Sequence, residues 1–142
     1  MSRTDSIQEL ISDFGELSKN DKLNLLLEFS DNLPDLPARY ADHPDLLERV
    51  EECQSPVYLF VELDDANDVH LFFTAPAEAP TTRGFASVLH EALDGRSAET
   101  VLNLNPDFPD LLGLTEAVSP LRINGMRAMI ARIKRQVREK LV

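Results

Sequence analysis

The sequence predicts an α+β fold in which one small antiparallel β-sheet packs against several helices, in a single domain spanning residues 1–142. Apolar residues repeat at three- and four-residue spacing near both ends of the chain, a pattern typical of amphipathic helices. Two short apolar runs in the middle flank an acidic, Asn-containing cluster, which is typical of a β-hairpin. With 142 residues, 43% of them hydrophobic, the chain is long and apolar enough to form one core.

Two helices are predicted in the first third of the chain. Residues from Thr4 to Ser6 offer oxygen atoms that cap the first helix, and Asp21 is the predicted N-cap of the second. The second helix should end at Leu33, because Pro34 disfavours helical geometry in the residue before it. The apolar positions are Ile7, Leu10, Ile11, Phe14 and Leu17 in the first helix and Leu23, Leu25, Leu26, Leu27 and Phe29, with Ser30 on the same face, in the second.

The predicted β-hairpin comprises residues 57–63 and 69–75, joined by a turn at residues 64–68. Pro56 lies at the entrance of the first strand, where a proline disturbs a sheet least. Between the second helix and this hairpin, the sequence predicts a loop reaching Leu47.

The rest of the chain is predicted to be helical. A helix capped by Thr81 or Thr82 should run to a stop at residues 94–95, where an aspartate precedes a glycine. A short turn at residues 97–100 and a short helix at residues 108–114 follow, and the last helix begins after residues 119–120. The predicted core positions are Phe85, Val88, Leu89 and Ala92, and in the last helix Met126, Met129, Ile130, Ile133, Val137 and Leu141.

The charge distribution disfavours nucleic acid as a partner. The net charge is −11, divided between −17 on residues 1–118 and +6 on residues 119–142. An acidic body repels phosphates, and the basic C-terminal segment is interpreted as a solvated helix face, with contact to an acidic partner as the alternative. The sequence contains no apolar run long enough to cross a membrane and no recognisable export signal, so a cytoplasmic location and no membrane association are expected.

Cys53, the only cysteine, is the principal candidate for chemistry. One thiol cannot form an intrachain disulfide, nor can it hold a zinc or iron–sulfur centre without further ligands. It can accept a group and pass it on if its thiolate is accessible. The alternative interpretation is that Cys53 serves as a small buried apolar side chain.

The sequence around Cys53 resembles the SufE family of sulfur-acceptor proteins, which assist cysteine desulfurases. The family pattern is an aliphatic residue, any residue, Gly, Cys, Gln, Ser, any residue, Val and an aromatic residue. Two further blocks are similar to family elements: Glu78-Ala79 with Arg83-Gly84, and residues 119–126, which match Ser/Thr-Pro-x-Arg-x-x-Gly. The residues that fit the first pattern are Val50, Cys53, Gln54, Ser55, Val57 and Tyr58, the last in place of the more usual tryptophan.

One position departs from the family pattern. Glu52 stands where the family has glycine, so two carboxylates, those of Glu51 and Glu52, precede the thiol. Negative neighbours raise the pKa of a thiol and slow its attack. Either a nearby cation offsets them, or the protein is a weaker or differently partnered sulfur acceptor.

The resemblance implies a SufE/IscU-like fold and a function in sulfur transfer. Cys53 would accept persulfide sulfur from a pyridoxal-phosphate-dependent cysteine desulfurase of the SufS or CsdA type, stimulate that enzyme and pass the sulfur to an iron–sulfur scaffold. In this interpretation the chain needs no cofactor or metal and is not itself an enzyme.

Five other residues complete the predicted site. Arg122 is the candidate cation that stabilises a thiolate or persulfide, with a helix-capping or surface ion-pair role as the alternative. Gln54 and Ser55 either donate hydrogen bonds to the sulfur or shape the loop. Glu78 and Arg83 are predicted to contact the partner, with ordinary solvated charges as the alternative.

Three other functions compete with sulfur transfer. A cysteine-nucleophile enzyme would need a histidine beside Cys53, and His43, His70 and His90 lie in no recognisable catalytic motif. A metal scaffold would need more cysteines. A protein-binding adaptor in which Cys53 is structural stays open as the main alternative.

Overall fold

Seven α-helices and one three-stranded antiparallel sheet form the described part of the chain, residues 6–141 of a computed structural model. The α+β prediction is therefore confirmed. In chain order the elements are α1 (Ser6–Gly15), α2 (Lys19–Ser30), α3 (Ala38–Ala41), β1 (Glu48–Arg49), β2 (Tyr58–Leu63), β3 (Val69–Thr74), α4 (Pro80–Leu93), α5 (Ala98–Leu102), α6 (Phe108–Leu111) and α7 (Pro120–Leu141), with 3₁₀ turns at Pro44–Leu46 and Leu114–Glu116.

Both N-terminal helices are present, but the second is capped differently from the prediction. Ser18 is the N-cap of α2, and its hydroxyl accepts a hydrogen bond from the backbone N–H of Asp21 at 3.2 Å. The predicted cap at Asp21 is wrong because that residue already lies in the first helical turn. There its negative charge interacts favourably with the positive end of the helix dipole. For α1, Thr4 and Asp5 of the predicted cap lie outside the described residues, and Ser6 is the first residue of the helix.

The predicted hairpin is present as β2 and β3, and the predicted loop before it contains a short helix, a 3₁₀ turn and a third strand. β1 pairs antiparallel with β2 through Glu48 opposite Leu59 and Arg49 opposite Tyr58. A strand of two residues is too short to show alternation in the sequence, so no pattern revealed it. This strand fixes the start of the segment that carries Cys53.

The core lies between one face of the sheet and the two long helices α4 and α7. Five side chains on this face of β2 and β3 are at most 2% exposed, and α7 packs against β2 while α4 packs against β3. On the outer face, the Tyr40 ring of α3 contacts Phe60 and Phe72, with ring centroids 5.2 and 5.0 Å apart. The core-facing strand residues are Leu59, Val61, Val69, Leu71 and Phe73.

α4 begins at Pro80, so the predicted cap at Thr81 or Thr82 is wrong. Ala79 occupies the N-cap position without a side-chain hydrogen bond, and both threonines lie within the first turn. A proline suits the first helical position because its fixed φ matches the helix and its missing N–H needs no acceptor there. The predicted stop is confirmed, since the helix ends at Leu93 and Gly95 follows with φ +80°.

The predicted apolar face of α7 is buried except at its end. Leu141 is 43% exposed and lies beside the hairpin turn and α5, so its predicted core position is wrong. No helix of residues 6–141 is long and apolar enough to span a membrane. The buried positions are Met126, Met129, Ile130, Ile133 and Val137.

The basic side chains of α7 contact the acidic body of the same molecule. Arg127 forms an ion pair with Asp110 at 2.7 Å, and Arg132 with Glu48 at 2.8 Å. Arg135 also pairs with Glu48. These three arginines therefore form ion pairs across the domain, while the side chains of Arg127 and Arg135 remain 38% and 42% exposed on the solvated face.

Candidate functional site

Cys53 lies in the eight-residue connection between β1 and β2. Its six central residues, 51–56, are called the thiol loop below. The N–H of Val50 donates to the carbonyl of Val57 at 2.8 Å, which closes the base of the loop. Both valines are fully buried, so this base is anchored in the core. Within the loop, the N–H of Cys53 donates to the carbonyl of Val50 at 3.1 Å and forms a tight turn.

The thiol of Cys53 packs against Gly125 in the first half of α7. The residue is 7% exposed. A Cβ atom added at Gly125 would lie 2.9 Å from the cysteine Sγ, closer than side-chain carbons approach a neighbouring atom. Gly125, the last residue of the matched Ser-Pro-x-Arg-x-x-Gly block, therefore leaves the space that the sulfur occupies.

A pocket of about 320 Å³ opens beside this thiol. Its walls come from the thiol loop, from the turn and first residues of α4, and from the N-terminal end of α7. Five of the six predicted site residues line it, although they lie in three separate blocks of the sequence: Cys53, Gln54, Ser55, Glu78 and Arg122. Their individual roles stay predictions, but the structure brings all five to one place.

Arg83, the sixth predicted residue, lies apart from this pocket. Its Nε donates to the carbonyl of Ser30 at 2.9 Å, and its Nη1 donates to the carbonyl of Ala75 at 2.7 Å. The guanidinium therefore joins the end of α2 to the segment after β3, which is a structural contact. Partner docking by Arg83 stays a prediction without a contact that supports it.

Arg132, which lies in none of the motif blocks, is the cation whose charge lowers the pKa of the Cys53 thiol. Arg132 donates to the carboxylate of Glu52, and this bond lowers the pKa of Glu52. Burial and, second, the charge of Glu52 raise the pKa of the Cys53 thiol to about 11, while the charge of Arg132 opposes this rise. Arg122 was expected to offset the glutamate, but among the described residues the offsetting charge comes from α7 ten residues later.

One signal in the sequence pointed to Arg132. It follows Gly125 by seven residues, which is close to two full turns of a helix, so both residues lie on the same side of α7. The side that receives the sulfur therefore also carries this guanidinium.

The raised thiol pKa predicts how native Cys53 reacts as the pH changes. We expect the alkylation rate of the native protein to keep rising above pH 9, with a midpoint near pH 11. The rate for the chain unfolded in guanidinium should have its midpoint at an ordinary thiol pKa of roughly 8.5 and then reach a plateau. Since the native pKa is the higher one, this group's contribution to stability is complete below the unfolded pKa and is lost as the pH rises toward 11. Rapid-mixing alkylation with iodoacetamide across this range is the measurement, and a native plateau by pH 9 would contradict the expectation.

The arrangement of histidines does not support a cysteine-nucleophile enzyme. Within residues 6–141, no histidine lines the Cys53 pocket. His70 is paired with Asp64 at 2.9 Å, and His90 lies 3.7 Å from Asp94. In the same part of the chain, no three His, Cys, Asp or Glu side chains are grouped to hold a metal ion.

Several known proteins are similar to this chain in sequence. The SufE family model, described as the Fe-S metabolism associated domain, matches residues 8–137. An uncharacterised SufE-like protein of Mycobacterium tuberculosis is 53% identical over 94% of this chain and 92% of its own length. The cysteine desulfuration protein SufE of Plasmodium vivax is 28% identical over 87% of this chain and 55% of that protein.

A solved structure extends the agreement to the fold. The solution structure of a hypothetical protein from Thermus thermophilus has a TM-score of 0.85 and 36% identity, and the match covers 96% of both chains. The resemblance noted around Cys53 thus extends over nearly the whole molecule. The chain belongs to the SufE family.

Proposed function

We propose that this protein accepts sulfur from a cysteine desulfurase onto Cys53, stimulates that enzyme and passes the sulfur to iron–sulfur cluster assembly. The observation that carries the proposal is a solitary thiol on a short loop, at the edge of a pocket that three separate motif blocks line. Membership of a family linked to Fe-S metabolism supports it. So does the likeness to a Plasmodium protein named for cysteine desulfuration.

The transfer step is a thiol exchange between two proteins. The Cys53 thiolate attacks the outer sulfur of a persulfide on the desulfurase cysteine, and a new S–S bond forms on Cys53. The S–S bond of the donor breaks, its cysteine leaves as a thiolate, and the proton released from Cys53 balances the charge there or in solvent. No net oxidation occurs, so the step needs no cofactor on this chain. The pyridoxal phosphate belongs to the partner, a desulfurase of the SufS or CsdA type.

The observed conformation is a closed state from which the thiol loop opens for transfer. A thiol with a pKa of about 11 is ionised in only about one molecule in 10⁴ at pH 7. At 7% exposure, Cys53 is also out of reach of another protein's cysteine. When the loop swings outward about its buried base at Val50 and Val57, the sulfur enters water and its pKa falls toward the ordinary value.

The pocket beside Cys53 is large enough to hold a persulfide sulfur in the closed state. Its volume of about 320 Å³ is roughly ten times that of one water molecule in the liquid, so an added sulfur atom fits. After transfer the loop can close with the persulfide turned into this space. The walls of α4 and α7 then separate the persulfide from competing thiols until the scaffold opens the loop again.

A second candidate function is that of an adaptor that stimulates the desulfurase without carrying sulfur. The burial of Cys53 against Gly125 favours it, since a purely structural cysteine is buried in the same way. The two functions differ in one observable, the covalent state of Cys53 after the desulfurase has turned over.

Mass spectrometry of Cys53 provides this test. The protein is incubated with a SufS- or CsdA-type desulfurase and free cysteine, and a matched sample omits the cysteine. We expect one extra sulfur atom on the peptide that contains Cys53, and we expect dithiothreitol to remove it. An unmodified Cys53 in a mixture where the desulfurase is nevertheless stimulated would support the adaptor instead.

A further inference from the structure

We propose that Glu52 and Arg132 form a latch that positions the thiol loop against α7 and thereby limits the reactivity of Cys53. The proposal rests on the proposed function for its biological purpose, which is to keep the sulfur carrier closed between encounters. Glu52 stands where the family pattern has glycine, which has no side chain to form such a bond.

Arg132 binds both the thiol loop and the strand that precedes it. One guanidinium nitrogen, Nη1, donates to Glu48 in β1 at 2.8 Å, and the other, Nη2, donates to Glu52 in the loop. The arginine side chain is 21% exposed and that of Glu52 is 50% exposed, so the bond between them is open to water on the glutamate side, although both bonds of Arg132 are charge-assisted. One side chain thus joins the strand before the loop to the residue beside the thiol.

The two contacts of the loop tip lie along one side of α7. Cys53 packs on Gly125, and Glu52 binds Arg132, about 10.5 Å further along the helix axis. An arginine side chain on a helix points back toward the N-terminus, which shortens that distance. While it is intact, the ion pair to Arg132 restrains movement of the loop away from Gly125.

The base of the loop is held independently of the latch. Glu48 also accepts hydrogen bonds from Arg135 and from Gln136, the latter at 2.9 Å. Breaking the bond between Glu52 and Arg132 therefore releases the tip and leaves the base attached to α7.

Substitution of Arg132 separates the latch from a simple charge effect. Arg132 lowers the thiol pKa, so if its charge alone mattered, Arg132→Gln would raise that pKa and slow alkylation of Cys53. The latch requires the opposite, because releasing the loop exposes the thiol. We expect alkylation at fixed pH to become roughly threefold to fivefold faster in Arg132→Gln, the upper part of the range that a partly exposed ion pair produces.

Three companion variants complete the test. Arg135→Gln is the matched control, because it removes a bond to Glu48 without touching Glu52, and its rate should change by less than about twofold. Glu52→Gln should be at least as fast as Arg132→Gln, because it also removes a charge that raises the thiol pKa. The double variant should be no faster than the faster of the two single variants, since both remove one interaction. Glu51→Gln, whose carboxylate lies 3.9 Å from Arg49 and is 75% exposed, should react close to the parent rate.

The outcomes are distinct. An Arg132→Gln variant that reacts more slowly than the parent, or at the same rate, overturns the latch. So does an equal acceleration in Arg135→Gln, which would assign the effect to the base of the loop. The assay contains no desulfurase, so its failure is separate from a failure of the proposed sulfur transfer, which the mass of Cys53 reports.

Discussion

The Cys53→Ser variant is expected to fold, to acquire no sulfur and to lose all stimulation of the desulfurase. Serine is close in size to cysteine, so the contact with Gly125 is kept. Its hydroxyl would be buried without an assigned partner, which should lower the free energy of unfolding by about 1–2 kcal/mol. The chemistry is lost completely, because the serine hydroxyl is not ionised near neutral pH and cannot take over the sulfur.

Two measurements check this result. The rate of alanine formation by the desulfurase, with and without the variant, reports stimulation, and thermal unfolding reports that the domain is intact. A Cys53→Ala variant, which buries no hydroxyl, serves as the control for any loss of stability. If the folded serine variant stimulates the desulfurase as well as the parent does, the sulfur-carrier function is wrong and the adaptor function is correct.

Gly84→Ala is expected to destabilise the domain by about 2 kcal/mol. A Cβ atom at Gly84 would lie 2.5 Å from the carbonyl oxygen of Leu26 and 2.9 Å from its Cγ. The oxygen belongs to the backbone of α2 and cannot rotate away, so α2 and α4 would have to move apart. This cost exceeds the gain of about 1 kcal/mol that alanine brings to a helix interior.

Gly15→Ala is the matched control for this substitution. Gly15 also lies in a helix, the last residue of α1, but an added Cβ would meet nothing within 4 Å. Its free energy of unfolding should stay the same or rise by up to about 1 kcal/mol. Urea unfolding of both variants gives the comparison, and equal stabilities for the two would show that α2 and α4 are not tightly packed at Gly84.

The candidate site was predictable where residue identity alone marks it. Cys53 is the only thiol, and its neighbours Gln54 and Ser55 fit a recognisable pattern. The blocks at Glu78 and Arg122 fit the same family, and all these residues line one pocket. The reason for the two glycines of the matched blocks is visible only in the folded structure. The missing side chain lets α2 pack closely against Gly84 and the thiol pack closely against Gly125.

The electrostatics of the site could not be predicted from the sequence. The bond between Glu52 and Arg132 joins residues 80 positions apart, and which arginine of α7 reaches the loop depends on how that helix crosses the sheet. Arg122 was the natural choice because it lies in a motif block. The motif marks Arg122, which lies at the pocket wall. The helix period puts Arg132 on the same side of α7 as Gly125, but only the folded chain brings Glu52 to it.

Local rules also failed at short elements. Ser18 and Asp21 are both good caps, and the choice between them depends on where the chain turns after α1. β1 has only two residues, and it exists because β2 offers it an edge to pair with. Long periodic segments such as α7 were predicted well, because many buried positions specify the same face.

The burial of Cys53 bears on how long such a molecule survives in a cell that produces peroxide. Peroxide oxidises the thiolate form, and a cysteine taken past the sulfenic stage is generally not recovered. In the resting protein the sulfur is protonated and covered by α7, so it offers peroxide little to attack. The packing that slows sulfur acceptance by Cys53 therefore also protects its sulfur atom from irreversible oxidation.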